Sequence, residues 1–66
     1  MNKNIEKLNH ETTYFRARQV SIYLNIGLST VWAMAKNQEI TAIKISPRVT
    51  LFSKQEIDQL IQDRNN

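Results

Sequence analysis

The spacing of apolar residues changes along the chain, and each spacing predicts a different element of structure. Residues 1–11 are polar apart from Ile5 and Leu8, which predicts a flexible lead-in. The β-prone residues 12–15 predict a short strand that opens a folded domain spanning 12–64. From residue 16 to 24 the period becomes that of a short helix, with an inner face formed by Ala17, Val20, Ser21 and Leu24.

A turn at Asn25-Ile26-Gly27 interrupts this first helix. Because Asn and Gly tolerate positive φ, the helix can end there and the chain can reverse direction. A second helix is predicted from 28 to about 37, with an inward stripe of Val31, Met34 and Ala35 and an outward face of Ser29, Ala33 and Lys36. Two helices joined by a Gly-containing turn are typical of a helix-turn-helix.

A hairpin and a third helix complete the pattern. Residues 40–52 predict two strands with Pro47 at the bend, where proline removes no ladder hydrogen bond. Ser53 and Glu56 have the spacing of a capping box, in which the Ser53 hydroxyl accepts from the Glu56 amide and the Glu56 carboxylate accepts from the Ser53 amide. The helix behind it has a predicted buried stripe of Ile57, Leu60 and Ile61, and Arg64 near its end suits the helix dipole.

The order of these elements predicts an α+β fold, a mostly helical small winged helix-turn-helix with a two-stranded β-wing and a C-terminal helix. Such a fold suits duplex DNA for a geometric reason. A major groove about 12 Å wide admits one α-helix, here helix 28–37, while the wing tip 46–48 reaches the adjacent minor groove or backbone.

Charge is concentrated in the middle of the chain. The 66 residues carry a net charge of +3, yet residues 14–54 hold six basic residues against Glu39 alone, a net charge of +5. Residues 1–13 are neutral and residues 55–66 carry −2. A positive centre between neutral and acidic ends indicates a polyanion-binding surface on the folded domain, although such patches also occur on proteins that bind no nucleic acid.

Composition excludes several classes of function. Without cysteine there is neither a disulfide framework nor a thiolate zinc site. No apolar run approaches the roughly 20 residues of a membrane span, and no signal-peptide pattern is present, so we expect a cytoplasmic protein. A chain this small hardly encloses a substrate-sized pocket and has no nucleophile, acid–base pair or metal cluster. We therefore expect no enzyme and no cofactor.

Four segments resemble one family. Residues 25–32 (NIGLSTVW) are similar to the "LGIGRSTVYR" turn and recognition helix of excisionase-type, MerR-like helix-turn-helix domains, and residues 40–45 (ITAIKI) to their "IPAVKIG" strand. Residues 46–52 (SPRVTLF) resemble the "GPRAVRW" wing of AlpA-like phage regulators, and residues 53–60 the "SxxEIxxW" helix. The match covers roughly 14–61. It implies a small DNA-binding protein of a prophage or integrated island, at work near the nucleoid of a bacterial host.

The chain also departs from that family pattern. Leu28 and Ala33 stand where the family often has Arg or Lys, and Leu51 replaces a frequent wing Arg. Thr50 stands at a position of the wing that is usually apolar in the family, so the orientation of its strand can differ from the one that the hairpin pattern predicts. With fewer base-reading cations on the recognition helix, we expect several phosphate contacts, strong salt dependence and modest sequence specificity.

The candidate DNA-binding residues come from the first helix, the second helix and the wing. They are Arg16, Arg18, Leu28, Ser29, Thr30, Trp32, Ala33, Lys36, Lys44, Pro47 and Arg48. Each also has a plainer interpretation. Trp32 is either a core side chain or a platform against the sugar-phosphate backbone, Ser29 and Thr30 suit any helix start, and the lysines can simply be solvated.

The resemblance implies a more specific role, that of an excisionase (recombination directionality factor). Such a protein binds and bends attachment-site DNA as a cooperative multimer and directs integrase, a further expected partner, toward excision. Two alternatives stay open: an AlpA-like transcription regulator of an integrase or phage promoter, and a protein-interaction module such as an antirepressor.

Overall fold

Helices and strands begin and end close to the positions that the sequence predicts. The computed structural model describes residues 12–65, so the predicted lead-in 1–11 lies outside the described residues. The elements in chain order are β1 (Tyr14–Phe15), α1 (Ala17–Leu24), α2 (Leu28–Lys36), β2 (Ile43–Ser46), β3 (Val49–Ser53) and α3 (Lys54–Asn65). This order confirms the α+β fold class, with a helix-turn-helix followed by a β-wing and a last helix.

The core takes one residue from each of the three helices, one from β3 and one from the loop before β2. Its five members are at most 1% exposed and are Val20, Val31, Ile40, Phe52 and Ile57. Half-buried apolar side chains pack around them, among them Met34 and Ala35 of α2 and Leu60 of α3. The inward stripe of α2 is therefore confirmed. The predicted stripe of α3 is only partly right, because Ile61 is 43% exposed.

The reversal between α1 and α2 depends on Asn25 rather than on glycine. Asn25 has φ 57° and ψ 47°, the left-handed conformation that ends helices, whereas Gly27 has φ −68°. The Ser21 hydroxyl donates to the Ile26 carbonyl at 2.6 Å, and the Ile26 amide donates to the Ser21 carbonyl at 3.0 Å. These bonds hold the turn closed and set the angle at which α2 leaves it.

The sheet has three antiparallel strands in the order β1-β3-β2. The strand predicted at 12–15 pairs with β3, so that Phe15 lies opposite Phe52. The wing is therefore tied to the body of the domain by a strand as well as by its own hairpin. Within the hairpin Lys44 lies opposite Thr50 and Ser46 opposite Val49, which leaves Ile45 as a bulge next to the turn.

The capping box at the start of α3 forms only in part. The Glu56 amide donates to the Ser53 hydroxyl at 3.2 Å, as predicted. The Glu56 carboxylate instead accepts from the amide and from the hydroxyl of Thr41, each at 2.8 Å. Ser53 still belongs to β3, opposite Tyr14, so its backbone is part of the sheet, and the carboxylate anchors the loop before β2.

A polar clasp joins α1 to α3. The Tyr23 hydroxyl donates to the Asp58 carboxylate, and the Lys54 ammonium lies 2.8 Å from the other oxygen of that carboxylate and 5.4 Å from the centre of the Tyr23 ring. The hydrogen bond from Lys54, followed by that from Tyr23, lowers the pKa of Asp58, and the same bond to Asp58 raises the pKa of Lys54. The charges of Lys54 and Asp58 are therefore paired with each other within the domain.

Candidate nucleic-acid interface

An open cleft lies between the start of α1, the start of α2 and the tip of the wing. Its volume is about 410 Å³. It is lined by Arg16, Ala17, Arg18, Leu28, Trp32, Pro47, Arg48 and Thr50. Six of these eight residues were predicted to contact DNA, although they come from three separate stretches of the sequence.

The lining of the cleft includes three guanidinium groups and no acidic side chain. Arg16 is the N-cap residue of α1, Arg18 lies in its first turn and Arg48 lies in the turn of the wing, and all three are exposed. Arginine is always protonated and binds phosphate with two parallel hydrogen bonds. The cleft is therefore a positively charged groove whatever the pH of the cell.

The first turn of α1 is built without a side chain that would neutralise these arginines. The Arg16 amide donates to the Gln19 side-chain oxygen at 2.8 Å, so a neutral amide closes the helix start. No acidic residue lies in the first turn of α1. A helix N-terminus disfavours cations, and two arginines placed there raise the positive potential at this end of the cleft.

Two exposed apolar side chains, Trp32 and Leu28, line the cleft, and Trp32 also contacts the core. Its ring packs against Phe52 of the core in an edge-type arrangement, with ring centres 5.8 Å apart and planes at 66°. The side chain is nevertheless 44% exposed, as is Leu28. The indole therefore contacts the core and also lines the cleft.

Five predicted residues lie outside the cleft lining, and all are exposed: Ser29, Thr30, Ala33, Lys36 and Lys44. Ser29, Ala33 and Lys36 are spaced i, i+4 and i+7, so they share the outward face of α2. Lys44 lies opposite Thr50 in the hairpin. Because opposite residues of an antiparallel pair project from the same face, Lys44 extends the basic surface along the wing.

Two lining residues, Ala17 and Thr50, were absent from the predicted site. Thr50 lies two residues before the buried Phe52, and in a strand residues i and i+2 point to one face. That alternation was visible in the sequence and would have placed Thr50 beside α2. Ala17 is predicted on the inner face of the first helix and does pack against the core, but it also lines the cleft.

Among the described residues, the cations of this surface form no ion pair with an acidic side chain. Within residues 12–65, ion pairs join Lys54 to Asp58 and Arg64 to Glu39. Arg64 lies in the last turn of α3, as predicted, and it also pairs with Glu39. Five basic residues remain without an ion pair in the same range: Arg16, Arg18, Lys36, Lys44 and Arg48. All five are among the predicted DNA-binding residues.

Comparisons with family models, with characterised proteins and with solved structures find no match to this chain. The resemblance to excisionase-type domains therefore remains a prediction from the quoted motifs. Across the described part of the chain, no helix is long and apolar enough to cross a membrane. The same residues contain no group of three or more His, Cys, Asp or Glu side chains arranged to hold a metal ion.

Proposed function

We propose that this chain binds double-stranded DNA, with α2 in the major groove and the wing tip at the neighbouring minor groove or backbone. The observation that carries the proposal is the cleft between these two elements. Arg16, Arg18 and Arg48 line it together with the apolar side chains of Trp32 and Leu28. A sugar-phosphate strand offers complementary groups, since its phosphates are anionic and its deoxyribose rings are largely apolar.

The position of the cleft supports this docking. When a helix lies in the major groove and a wing reaches the next groove, the backbone that separates the grooves passes between them. The cleft would be that passage in this chain, since residues of α2 and of the wing tip, Pro47 and Arg48, line it together. Phosphate contacts of this kind fix position and orientation, while bases are read by the outward face of α2.

Within this class, we propose the role of an excisionase that binds and bends attachment-site DNA. The support is the resemblance of four segments in the same order, together with the size of the surface. A single module of this kind covers about 600–1,000 Å², which is little for strong specificity. Several copies on repeated sites would supply it, and such an array bends DNA. A promoter-binding regulator would use the same cleft.

The test is a map of binding across the DNA that surrounds the gene of this protein. Duplexes of about 30 base pairs, roughly three helical turns, tile the region, and fluorescence anisotropy measures the affinity for each against a scrambled duplex. Stepwise, tighter binding at repeats near the ends of an integrated element supports the excisionase role. Binding confined to a promoter supports the transcription regulator, and no binding to any duplex contradicts DNA binding altogether.

A charge-reversal variant tests the cleft itself in the same assay. Arg48→Glu should weaken binding to every duplex and flatten its salt dependence while the far-ultraviolet circular dichroism is unchanged. Arg64→Glu is the matched control, because it makes the same change of charge outside the cleft. Equal affinities of Arg48→Glu and the parent would exclude the wing from the interface.

A further inference from the structure

The outward face of α2 lacks the side chains that recognise bases most specifically. Bidentate contacts to guanine are made by Arg or Lys, and those to adenine by Asn or Gln. Residues 28–35 (LSTVWAMA) contain none of these four residue types. Lys36 is the first long polar side chain, and it lies at the last position of α2. Two helical turns that would face the groove therefore have no bidentate reader.

Methyl groups and hydroxyl groups occupy that face instead. Ala33 is exposed in the middle of the face, one turn after Ser29 and three residues before Lys36. Thr30 is also exposed and carries a methyl group beside its hydroxyl. Hydroxyls bond to several base edges without strong preference, whereas an Ala or Thr methyl makes apolar contact with one feature of the major groove, the 5-methyl group of thymine.

We propose that this chain selects its DNA sequence mainly through thymine 5-methyl groups, with Ala33 as the specificity-determining residue. The inference rests on the proposed function, because it requires α2 to lie in the major groove. It divides the surface into two parts with different tasks. The arginines of the cleft supply affinity through phosphates, and the small side chains of α2 let the helix approach the bases closely enough for methyl contact.

The test begins with the parent protein and a pool of random duplexes. Repeated selection for binding yields a preferred duplex, and the expected preference includes thymine at positions in its centre. Each such thymine is then replaced by deoxyuridine, which removes the methyl group and leaves every hydrogen-bonding group in place. We expect a loss of roughly fourfold in affinity per methyl group, the factor that burial of one such group provides.

Cytosine supplies the reciprocal measurement. Replacing a critical T·A pair by C·G should weaken binding, and 5-methylcytosine at the same position should recover part of the loss because it restores a methyl group to the major groove. A guanine preference set by Lys36 would give the opposite pattern. Deoxyuridine would then have no effect, and loss of the guanine would weaken binding.

Variants assign the contact to its residue. Ala33→Gly should bring the ratio of thymine to deoxyuridine affinities close to one. Arg48→Gln is the matched control, since it should weaken both duplexes by the same factor and leave their ratio at the parent value. Glycine weakens an exposed helix, so circular dichroism accompanies the measurement. The deoxyuridine comparison uses the parent protein and does not depend on whether any variant folds.

The outcomes separate this inference from the proposed function. A methyl-dependent affinity that Ala33→Gly abolishes supports the inference. Selective duplex binding that deoxyuridine does not change overturns the inference and leaves DNA binding intact. A methyl dependence that Ala33→Gly leaves unchanged also overturns it, because Ala33 would then not be the residue that makes the contact. If no duplex is bound at any salt concentration, the proposed function fails and the inference fails with it.

Discussion

Arg48→Gln offers a quantitative test of the cleft, because it removes one charge from a set of three. Each phosphate that a protein neutralises adds about 0.9 to the slope of log affinity against log salt concentration. Arg16, Arg18 and Arg48 line the cleft together, so they account for a slope of about 2.7 if each meets one phosphate. Between about 50 and 200 mM salt these three contacts alone reduce affinity roughly 40-fold.

The variant should retain two of the three contacts. The slope contributed by its cleft falls to about 1.8, so these contacts reduce affinity only roughly 12-fold over the same range of salt. The ratio of the parent's affinity to the variant's affinity therefore falls by a factor of about 3.5 as the salt concentration rises fourfold. Glutamine is polar and uncharged but shorter than arginine, so the change in salt slope, which depends on the number of neutralised phosphates, is the quantity that reports the lost charge.

Fluorescence anisotropy at several salt concentrations measures both slopes on one duplex. The matched control is Arg64→Gln, which removes the same charge from a residue that pairs with Glu39 and does not line the cleft. We expect the control to keep the parent slope. A parent slope for Arg48→Gln, or equal slopes for the two variants, would refute the phosphate-binding role of the wing tip.

Three further predictions concern stability. Gly27 has φ −68° and ψ 151°, and an added Cβ would meet only ordinary contacts at 3.7 and 3.9 Å, so Gly27→Ser should raise the free energy of unfolding by about 0.5–1 kcal/mol. A lower midpoint in thermal unfolding would contradict this. Ser21→Ala removes the 2.6 Å bond to the Ile26 carbonyl and should cost about 1 kcal/mol in urea unfolding, whereas an unchanged midpoint would show that the bond adds nothing. Asp58→Asn tests the clasp: the lowered pKa of Asp58 means that its stabilisation is present above the ordinary value of 3.8 and is lost as the pH falls through the folded-state pKa. The raised pKa of Lys54 means that the stabilisation from the ion pair is lost at alkaline pH only above 10.5. The difference in thermal midpoint between the parent and Asp58→Asn should therefore vanish only toward the two extremes of pH. A constant difference down to the acid limit would contradict the assignment.

Most of the fold could be predicted from local patterns in the sequence. The inward stripe of α2, the reversal at Asn25 and the bend at Pro47 each follow from residues that are close in the sequence. The strand at 12–15 was also predictable, but its partner was not. Pairing of Phe15 with Phe52 joins segments 37 residues apart, and neither segment alone specifies the other.

The errors have the same origin. A helical period places Ile61 beside Ile57, yet the core ends before the last turns of α3, and Ile61 remains 43% exposed. The Glu56 carboxylate had a partner within reach at Ser53, but Thr41 offers two donors from a distant loop. Spacing along one element does not report what another element brings to it.

The candidate site shows both sides of this limit. Charge and element order were sufficient to select Arg16, Arg18 and Arg48 from three stretches of the chain. That they line one cleft depends on how α1 and the wing meet, which only the tertiary structure provides. Trp32 could not be assigned to core or surface in advance, because the same side chain does both: it packs on Phe52 and it lines the cleft.

The measurement that tests the central claim most directly is a nuclear magnetic resonance titration of the isotope-labelled protein with a short duplex. The Trp32 indole N–H gives a signal of its own, as the chain has a single tryptophan. The account predicts that this signal, together with the backbone amides of Leu28 and Arg48, shifts most strongly on addition of DNA. Shifts concentrated in α3, with the indole signal unmoved, would contradict the claim that DNA lies in the cleft.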